Sequence, residues 1–255
     1  MPCHSGRMDC PQLTYIGGPT VLMRYAGLTF VTDPTFDPPG DHGGLVKTEG
    51  PGIEAGDLPT IDVALISHDH HPDNLDDAGR EVALGAALAL TTTAGAARVP
   101  GLVGLDPGDT IAHGPVTITA VAALHGPPGV AEQTGPVIGF IVRAADCPAV
   151  YFSGDNSEVS VASAVAAAHP DVRLAILCMG AARVATRGPD PLTLDVERAV
   201  AVAKAFPDAL IVPVHVEDWA HFSEDRETSM SGLRDGGVGQ RLVDLERGVP
   251  TALEP

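Results

Sequence analysis

The sequence predicts a mixed α/β fold in which two packed β-sheets are flanked by helices. Two observations lead to this fold class: the first half of the chain is rich in short strand candidates, whereas the second half alternates helix with strand. A third is that no repeat or low-complexity linker divides the 255 residues, a length that suffices for a sizeable core. We therefore expect a single domain over residues 1–255, of which residues 1–12 form a flexible N-terminal tail.

The first half opens with a predicted hairpin. Residues 20–25 and 28–32 read as strands, and the pair Ala26-Gly27 between them is typical of a turn. Residues 63–66 form a continuous apolar run, which is typical of a strand buried on both faces. A helix rich in Ala and Leu is predicted over 76–90, and further strands are predicted over 89–92, 116–121, 139–143 and 149–152.

The second half changes to helices that are each followed by a strand. A helix over 159–168 precedes a strand over 174–177, and a helix over 194–206 precedes a strand over 210–214. The second of these helices has favourable start signals, with Thr193 as its N-cap and with Asp195 and Glu197 in its first turn.

Composition and charge argue against several classes of function. The chain has 15 Lys and Arg against 33 Asp and Glu, a net charge of −18, and a field of that sign repels nucleic acid and anionic membrane surfaces. The first residues show no secretory signal, and no apolar stretch approaches the roughly 20 residues that span a bilayer. We therefore expect a cytoplasmic protein with a small-molecule substrate, no nucleic-acid partner and no membrane insertion.

The four cysteines are too few and too dispersed for a disulfide framework. Cys178 lies in an apolar run and is expected to be a small buried hydrophobic residue. Cys3, His4 and Cys10 are metal-ligand types, but their Pro- and Gly-containing surroundings in the N-terminal tail disfavour a metal site there.

The densest set of metal-binding side chains directly follows the strand predicted over 63–66. It contains three imidazoles, His68, His70 and His71, and two carboxylates, Asp69 and Asp73. Imidazole and carboxylate together are the ligands of Zn²⁺, Fe²⁺ and Mn²⁺ in proteins. Capping of the next helix explains a carboxylate in this run, but it does not explain three histidines within four positions. We predict a divalent metal site here.

Further candidate ligands follow three other predicted strands. His125 comes after the strand over 116–121, Asp155 after the strand over 149–152, and His215 after the strand over 210–214. Each residue alone is typical of a surface histidine or a helix cap. Because α/β folds assemble sites at strand ends, the four positions together indicate one site. His221, which lies near Trp219, is a candidate for substrate contact or leaving-group protonation, with a supporting or surface role as the alternative.

The order of these motifs resembles the metallo-β-lactamase superfamily. The run Ser-His-Asp-x-His-x-Asp-Asn over 67–74 is followed by His125, by Ser-Gly-Asp155 and by Pro-Val-His215. Four other stretches resemble its branch of bacterial metal-dependent hydrolases, which includes ascorbate-phosphate lactonases and N-acyl-phosphatidylethanolamine phospholipase D. These stretches lie at residues 15–20, 32–36, 180–183 and 214–222. The resemblance runs from about Tyr15 to Glu224 and implies a four-layer αββα sandwich with one or two metals between its two mixed sheets.

The superfamily motif His-x-His-x-Asp-His fits this chain in two registers. Aligned from its right end, it becomes Asp69, His71, Asp73 and Asn74; aligned from its left end, His68 and His70 fit, but Asp73 arrives one residue late. We favour the right-hand register because Asp-Asn-Leu-Asp over 73–76 matches the Asp-His-Leu-Asp of the superfamily. Since Asn is a poorer metal ligand than His, we expect a second metal position that is weak, empty or built differently, with His68 or His70 substituting.

The resemblance also implies roles for these residues. Asp69, His71 and His125 would hold the first metal, Asp73 and His215 would belong to the second, and Asp155 would bridge them. Asp73 could alternatively act as a base that orients the attacking water. Zn²⁺ is the expected metal, with Mn²⁺ or Fe²⁺ as alternatives.

The substrate-binding candidates are Trp219 and Arg183. Arg183 and Arg187 could bind a carboxylate or phosphate, although both also fit solvated surface positions. The stretch 33–52, rich in Pro and Gly, is either a mobile loop over the site or a rigid surface excursion.

The expected activity is hydrolysis of a small ester, lactone or phosphodiester by a metal-activated water. Two alternatives stay open. One is a mononuclear-iron oxidoreductase of the same fold, and the other is a non-catalytic member of the superfamily with a degraded metal site.

Overall fold

Strands dominate the regular structure. The computed structural model describes residues 11–255. Within that range the strands are β1 (Gln12–Gly17), β2 (Thr20–Tyr25), β3 (Leu28–Thr32), β4 (Gly40–His42), β5 (Leu45–Lys47), β6 (Val63–Leu65), β7 (Leu88–Thr92), β8 (Val103–Leu105), β9 (Thr110–His113), β10 (Val116–Ala122), β11 (Ile138–Ala144), β12 (Ala149–Phe152), β13 (Val172–Cys178), β14 (Leu210–Val214) and β15 (Thr251–Ala252). The α-helices are α1 (Asp77–Gly85), α2 (Thr93–Arg98), α3 (Ala131–Thr134), α4 (Val159–Ala168), α5 (Val196–Ala205) and α6 (Arg226–Leu233).

The strands form two large mixed sheets and one small hairpin. One sheet has seven strands in the order β15-β1-β2-β3-β6-β7-β8, and the other has six in the order β14-β13-β12-β11-β10-β9. β3, β6, β7 and β8 run parallel to one another, as do β12, β13 and β14. Parallel neighbours present their carboxyl ends at the same edge of a sheet, so loops that follow them meet there.

The layers follow from the period-two alternation of side chains along the strands. Val63 and Leu65 of β6 face a core shared by both sheets, whereas Ala64 faces the outer layer that holds Ala83 of α1. On the other sheet, the outward-facing residues of β13 pack with residues of α4, α5 and α6. The layers are therefore helix, sheet, sheet and helix, which confirms the predicted four-layer αββα sandwich.

Most elements expected from the sequence are present, with shifted ends. The hairpin over residues 20–32 is antiparallel, and Ala26 (φ 52°) and Gly27 (φ 79°) form its turn. Two consecutive residues with positive φ produce the backbone twist that tight hairpins favour. The helix predicted over 76–90 ends earlier, at Gly85, and the strand that follows begins at Leu88.

Thr193, the predicted N-cap of the helix over 194–206, does not cap this helix, which is α5 in the structure. Asp195 caps α5, and its carboxylate accepts a hydrogen bond from the Arg198 amide at 2.9 Å. The Thr193 hydroxyl instead donates to the Met179 carbonyl at 2.7 Å and accepts from the Ala182 amide at 3.0 Å. Thr193 is therefore used to hold two loops together, and the helix begins two residues later than predicted.

The Pro- and Gly-rich stretch over 33–52 contains the β4–β5 hairpin. Lys47, at its end, is 2% exposed and forms an ion pair with the buried carboxylate of Asp76, with Nζ 3.1 Å from Oδ2. The Lys47 ammonium also lies over the ring of Trp219, 5.6 Å from its centroid. Lys47 thus attaches the end of this hairpin to Asp76 and Trp219.

Some expectations concern residues outside the described range. Cys3, His4 and Cys10 lie outside it, as does the proposed N-terminal tail apart from Pro11 and Gln12, the second of which begins β1. Over residues 11–255, none of the helices combines the length and the apolar character needed to cross a membrane. Cys178 is fully buried in the core, as predicted.

Candidate metal centre

Loops from both sheets bring polar side chains to one edge of the sandwich. β10, β12 and β14 run in the same direction, so the residues that follow them emerge together. These residues are His125, Asp155 and His215. The loop after β6, in the opposite sheet, brings its own polar side chains to the same place. Strand ends of the two sheets therefore build the site between them.

Three histidines form the first group of potential ligands. Nε2 of His68 lies 3.0 Å from Nδ1 of His71, and Nε2 of His125 lies 3.3 Å from the same His71 atom. Burial holds the pKa of His68 well below its usual range and lowers the pKa of His71 to about 4. Both rings are therefore neutral at pH 7 and offer nitrogen lone pairs.

The outer ring nitrogens of two histidines are fixed by neighbours. His125 Nδ1 donates to the Leu192 carbonyl oxygen at 2.9 Å, so in the neutral ring Nε2 carries no hydrogen. His68 Nδ1 lies 3.0 Å from the Ser67 hydroxyl. Metal-binding histidines are commonly held in this way, with the second nitrogen hydrogen-bonded outside the site.

Asp73, Asp155 and His215 form the second group. Nε2 of His215 lies 3.2 Å from Oδ2 of Asp73 and 3.7 Å from Oδ2 of Asp155, while its Nδ1 donates to the Met179 carbonyl at 3.1 Å. Burial acts to raise the pKa of Asp73, but hydrogen bonds from His215 and His221 outweigh it and hold that pKa well below its usual range. Burial acts to lower the pKa of His215, but the two carboxylates outweigh it and raise that pKa to about 9.

Asp155 lies between the two groups. Its Oδ2 is 3.9 Å from Nε2 of His125 in the first group and 3.7 Å from Nε2 of His215 in the second. Both of its oxygens are buried, and neither accepts a hydrogen bond from a nitrogen or oxygen atom of residues 11–255. A buried carboxylate without such partners is costly unless a cation neutralises it. The donor set therefore fits one or two divalent cations.

Close approach of the loops depends on two glycines. Gly154 has φ 55°, and a Cβ there would lie 2.6 Å from the Ile138 carbonyl oxygen. Gly180 has φ 82°, and a Cβ there would overlap the His215 carbonyl oxygen. A side chain at either position would push Asp155 or His215 out of place. His215 itself has φ 61°, a left-handed conformation that is uncommon for non-glycine residues.

Asp69 and His70 lie outside both groups. The Asp69 carboxylate accepts hydrogen bonds from Nε and Nη2 of Arg98, at 2.8 and 2.5 Å. Burial acts to raise the pKa of Asp69, but Arg98 outweighs it and lowers that pKa. The His70 Nδ1 lies 3.4 Å from the same guanidinium. Neither alignment of the superfamily motif therefore matches the structure in full. The structure groups His68, which only the left-hand alignment uses, with His71, which only the right-hand alignment uses.

Asn74 also points away from both groups. Its side-chain amide donates to Oδ2 of Asp33 at 3.0 Å, and that carboxylate accepts further bonds from the Ser67 amide at 2.6 Å and hydroxyl at 2.7 Å. Burial, aided by the charge of Asp155, raises the pKa of Asp33 to about 7. Sequence reasoning gave Asp33 no role, although it directly follows a predicted strand, as the other site residues do.

The remaining sequence candidates differ in position. His221 Nε2 lies 3.0 Å from Oδ2 of Asp73. Trp219 is 3% exposed, and its ring packs against the His221 ring with centroids 6.2 Å apart. Arg183 donates to the Ser223 hydroxyl at 3.1 Å and to the Pro189 carbonyl. The structure thus brings His221 to the second group. Trp219 packs against the His221 ring, and Arg183 bonds to residues outside both groups.

A cavity of about 220 Å³ opens onto the two groups. His71, Asp73, His125 and His221 line it, and neither Trp219 nor Arg183 does. Its other walls include Leu45 of the hairpin and Arg187, which sequence reasoning did not place among the binding candidates it favoured.

Comparisons with known proteins assign the chain to a family. The family model described as "Beta-lactamase superfamily domain" matches residues 29–216. A metal-dependent hydrolase of Anaeromyxobacter sp. (strain K) is 26% identical over 260 residues, which cover 94% of this chain and 86% of that protein.

Solved structures show the same fold. A possible metal-dependent hydrolase from Veillonella parvula has a TM-score of 0.83 at 20% identity, over 96% of this chain and 100% of that one. An isothiocyanate hydrolase from Delia radicum gut bacteria has a TM-score of 0.79 at 20% identity, over 95% of this chain and 98% of that one. With its family match extending over most of its length, this chain belongs to the metallo-β-lactamase superfamily.

Proposed function

We propose that the chain uses one or two Zn²⁺ ions to hydrolyse a small ester, lactone or phosphodiester. As a member of this superfamily with relatives named metal-dependent hydrolases, the chain is an enzyme of that class, and the proposal adds its metal and its substrate. The observation that carries the proposal is Asp155, whose two buried oxygens lie between two groups of ligand-type side chains without a nitrogen or oxygen donor among the described residues.

Each group is proposed to hold one ion. His68, His71 and His125 would hold the first, and Asp73 and His215 the second, with Asp155 shared between them. Imidazole and carboxylate donors suit Zn²⁺, and Mn²⁺ and Fe²⁺ accept the same donors. Bound there, such an ion supplies Lewis-acid chemistry and makes a hydroxide nucleophile available at neutral pH.

His221 is proposed to protonate the leaving group. Its Nε2 lies against Oδ2 of Asp73 at 3.0 Å, and the ring lines the cavity. Trp219 packs against this ring from behind and so limits its orientation. Oδ2 of Asp73 lies within hydrogen-bond distance of Nε2 of His221, and this contact orients the His221 ring at the edge of the cavity.

The cavity directly over the donor groups fits a small reacting group, and adjoining concavities of about 500 and 660 Å³ also contact His71 and His125. The volume of the first, about 220 Å³, lies below the roughly 300–1,000 Å³ of pockets that bind drug-sized ligands. A long acyl chain would have to lie outside it. The net charge of −18 disfavours polyanionic substrates.

Metal content and hydrolysis test the proposal together. Protein purified without added metal should contain close to two equivalents of zinc per chain by mass spectrometry. It should hydrolyse at least one of phenyl acetate, a small lactone and a phosphodiester, whereas hydrolysis of a small isothiocyanate alone would overturn the proposed substrate class. A chelator should abolish the activity, and added Zn²⁺ should restore it.

A matched pair of variants makes the test specific. Asp155→Asn keeps the shape but removes the charge, so it should lose metal and lower kcat/KM at least a hundredfold. Asp171→Asn, which removes a surface carboxylate paired with Arg143, should change neither. Iron together with oxygen consumption would replace the proposal with an oxidoreductase. Failure to retain any metal at neutral pH would favour a non-catalytic protein.

A further inference from the structure

We propose that Arg187 binds a carboxylate of the substrate, so that the substrate is a small ester or lactone that also carries one free carboxylate. This inference rests on the proposed hydrolase function and adds the class of substrate. Its starting observation is position: Arg187 lines the same 220 Å³ cavity as His71, His125 and His221. A substrate group bound to Arg187 would therefore lie within the same enclosure as the proposed reaction.

The Arg187 side chain is held but not neutralised. It ends the short helical turn Ala185–Arg187, and its Nη1 donates to Oε1 of Gln133, in α3, at 3.0 Å. That bond uses one of the five N–H donors of a guanidinium. No other side-chain hydrogen bond and no ion pair of Arg187 is found over residues 11–255.

Arg187 is one of five arginines without an ion pair among the twelve of residues 11–255, and it is the one of these five that lines the cavity. With 33 carboxylate residues against 15 Lys and Arg, most arginines have an acid within reach. Examples are Arg98 with Asp69, Arg143 with Asp171, Arg226 with Asp244 and Arg247 with Glu217. Arg187 is half-buried in a cavity wall and lacks such an acid among the described residues. A substrate anion would supply the missing partner.

The surroundings of Arg187 select a single negative charge. Apolar residues, including Pro72, Val184 and Leu192, form much of the remaining wall, and apolar walls strengthen an ion pair relative to water. One guanidinium matches one carboxylate through two parallel hydrogen bonds. A phosphate dianion carries a second negative charge, for which Arg187 alone offers no partner.

Arg183 is the competing candidate, and the structure directs it elsewhere. Its guanidinium donates to the Ser223 hydroxyl and to the Pro189 carbonyl, it is exposed, and it does not line the cavity. Although only three residues separate Arg183 from Arg187, the two guanidinium groups thus lie on different surfaces.

Two esters that differ in one group test the proposal on the zinc-loaded protein. They are the mono-p-nitrophenyl ester of fumaric acid, whose trans double bond keeps the carboxylate from attacking its own ester, and its counterpart with a neutral terminal carboxamide. Arg187→Gln should lower kcat/KM for the carboxylate ester by about ten- to a hundredfold, as expected for a charge-assisted hydrogen bond. It should change kcat/KM for the carboxamide ester by less than twofold, with metal content unchanged. Arg187→Lys should recover part of the loss.

Controls separate this inference from the proposed function. Arg24→Gln, which removes an exposed arginine of β2, should behave as wild type with both esters. Calorimetry should show that a non-hydrolysable carboxylate analogue binds the wild type at least tenfold more tightly than Arg187→Gln, even if neither ester is turned over. Equal loss on both esters, no loss on either, or a selective loss in Arg183→Gln would each overturn the assignment. Binding of the analogue without hydrolysis of either ester in a metal-loaded protein would keep the Arg187 assignment and would count against ester hydrolysis as the reaction.

Discussion

His68 and His71 present ring nitrogens 3.0 Å apart although two residues separate them in the chain. The backbone turns directly after His71, whose carbonyl oxygen accepts bonds from the amides of Asn74 at 3.1 Å and Leu75 at 3.0 Å. Asp69, between the two histidines, points away from them toward Arg98. The local path of the backbone and a single distant arginine thus decide which side chains of this run converge on one point.

Replacing His68 or Asp69 separates the two registers of the motif. His68→Ala should lose at least one equivalent of metal, because it removes one of three converging imidazole nitrogens. Asp69→Asn should keep its metal, because the Asp69 carboxylate bonds Arg98 and faces neither donor group. Metal per chain after dialysis measures both. Retention in His68→Ala together with loss in Asp69→Asn would restore the register favoured by sequence.

The sequence identified which strand ends matter, but not which side chains face inward. His125, Asp155 and His215 could be predicted because each follows a strand, and β10, β12 and β14 run in one direction. The orientations of Asp69 and His70 depend on Arg98, which is 28 residues or more away in the chain. Spacing in one loop carries no information about such a partner. Asn74 stands where a histidine was expected, and its actual partner, Asp33, is equally remote.

At the scale of elements, the β4–β5 hairpin shows how one buried charge fixes a segment. Asp76 caps α1 by accepting from the Gly79 amide at 2.7 Å, and it also accepts from the amides of Phe36 at 2.9 Å and Asp37 at 2.7 Å. Lys47 adds the ammonium that balances this carboxylate. Asp76 therefore joins the hairpin, the helix and the chain after β3. The hairpin was not predicted because its own residues are polar and glycine-rich, and its partners lie elsewhere.

Lys47→Met tests whether this ion pair holds the hairpin. The change keeps the length of the side chain but leaves the Asp76 charge buried without its cation, which typically costs about 3–5 kcal/mol. We expect about 3 kcal/mol in the free energy of unfolding by urea, because Asp76 keeps its three N–H donors. Val46→Ala, an exposed position in the same hairpin, should cost less than about 0.5 kcal/mol. A Lys47→Met protein as stable as that control would show that the pair contributes little.

The start of α5 is a second feature that the sequence alone did not predict. Thr193 and Asp195 are both good N-cap residues, so propensity alone does not choose between them. The Met179 carbonyl and the Ala182 amide engage Thr193, and the helix then begins at the next available cap. Boundaries set by tertiary hydrogen bonds are therefore less predictable than the existence of the helix itself.

At the scale of the whole molecule, the candidate site spans the junction of the two sheets. The loop after β6 belongs to the seven-stranded sheet and supplies His68, His71 and Asp73, whereas the six-stranded sheet supplies the other three donors. A cation shared through Asp155 would link the sheets, and in its absence the buried histidines and carboxylates must be accommodated by protonation. The stability of the metal-free protein should therefore depend on pH.

His71 makes the metal-free protein less stable as the pH falls. Burial lowers its pKa from 6.5 to about 4, so between these two values the unfolded chain binds a proton that the folded chain does not. Stability from this residue is thus fully present above pH 6.5 and is lost as pH falls toward 4. Asp33 acts in the opposite sense, because its pKa is raised to about 7 and its folded form takes up a proton as pH falls. Only a comparison of variants isolates the histidine.

We expect His71→Gln to gain stability relative to the wild type as the metal-free proteins are acidified from pH 7 to pH 4.5. The full difference allowed by the shift of His71 is about 3 kcal/mol. Urea unfolding in the presence of a chelator, repeated across this range, measures the gap between the two proteins at each pH. Asp33→Asn removes the group with the opposite pH dependence, so this variant should lose stability relative to the wild type as the pH falls. If the difference in unfolding free energy between His71→Gln and the wild type stays constant with pH, His71 has an ordinary pKa. Its ring is then not held neutral against His68 and His125.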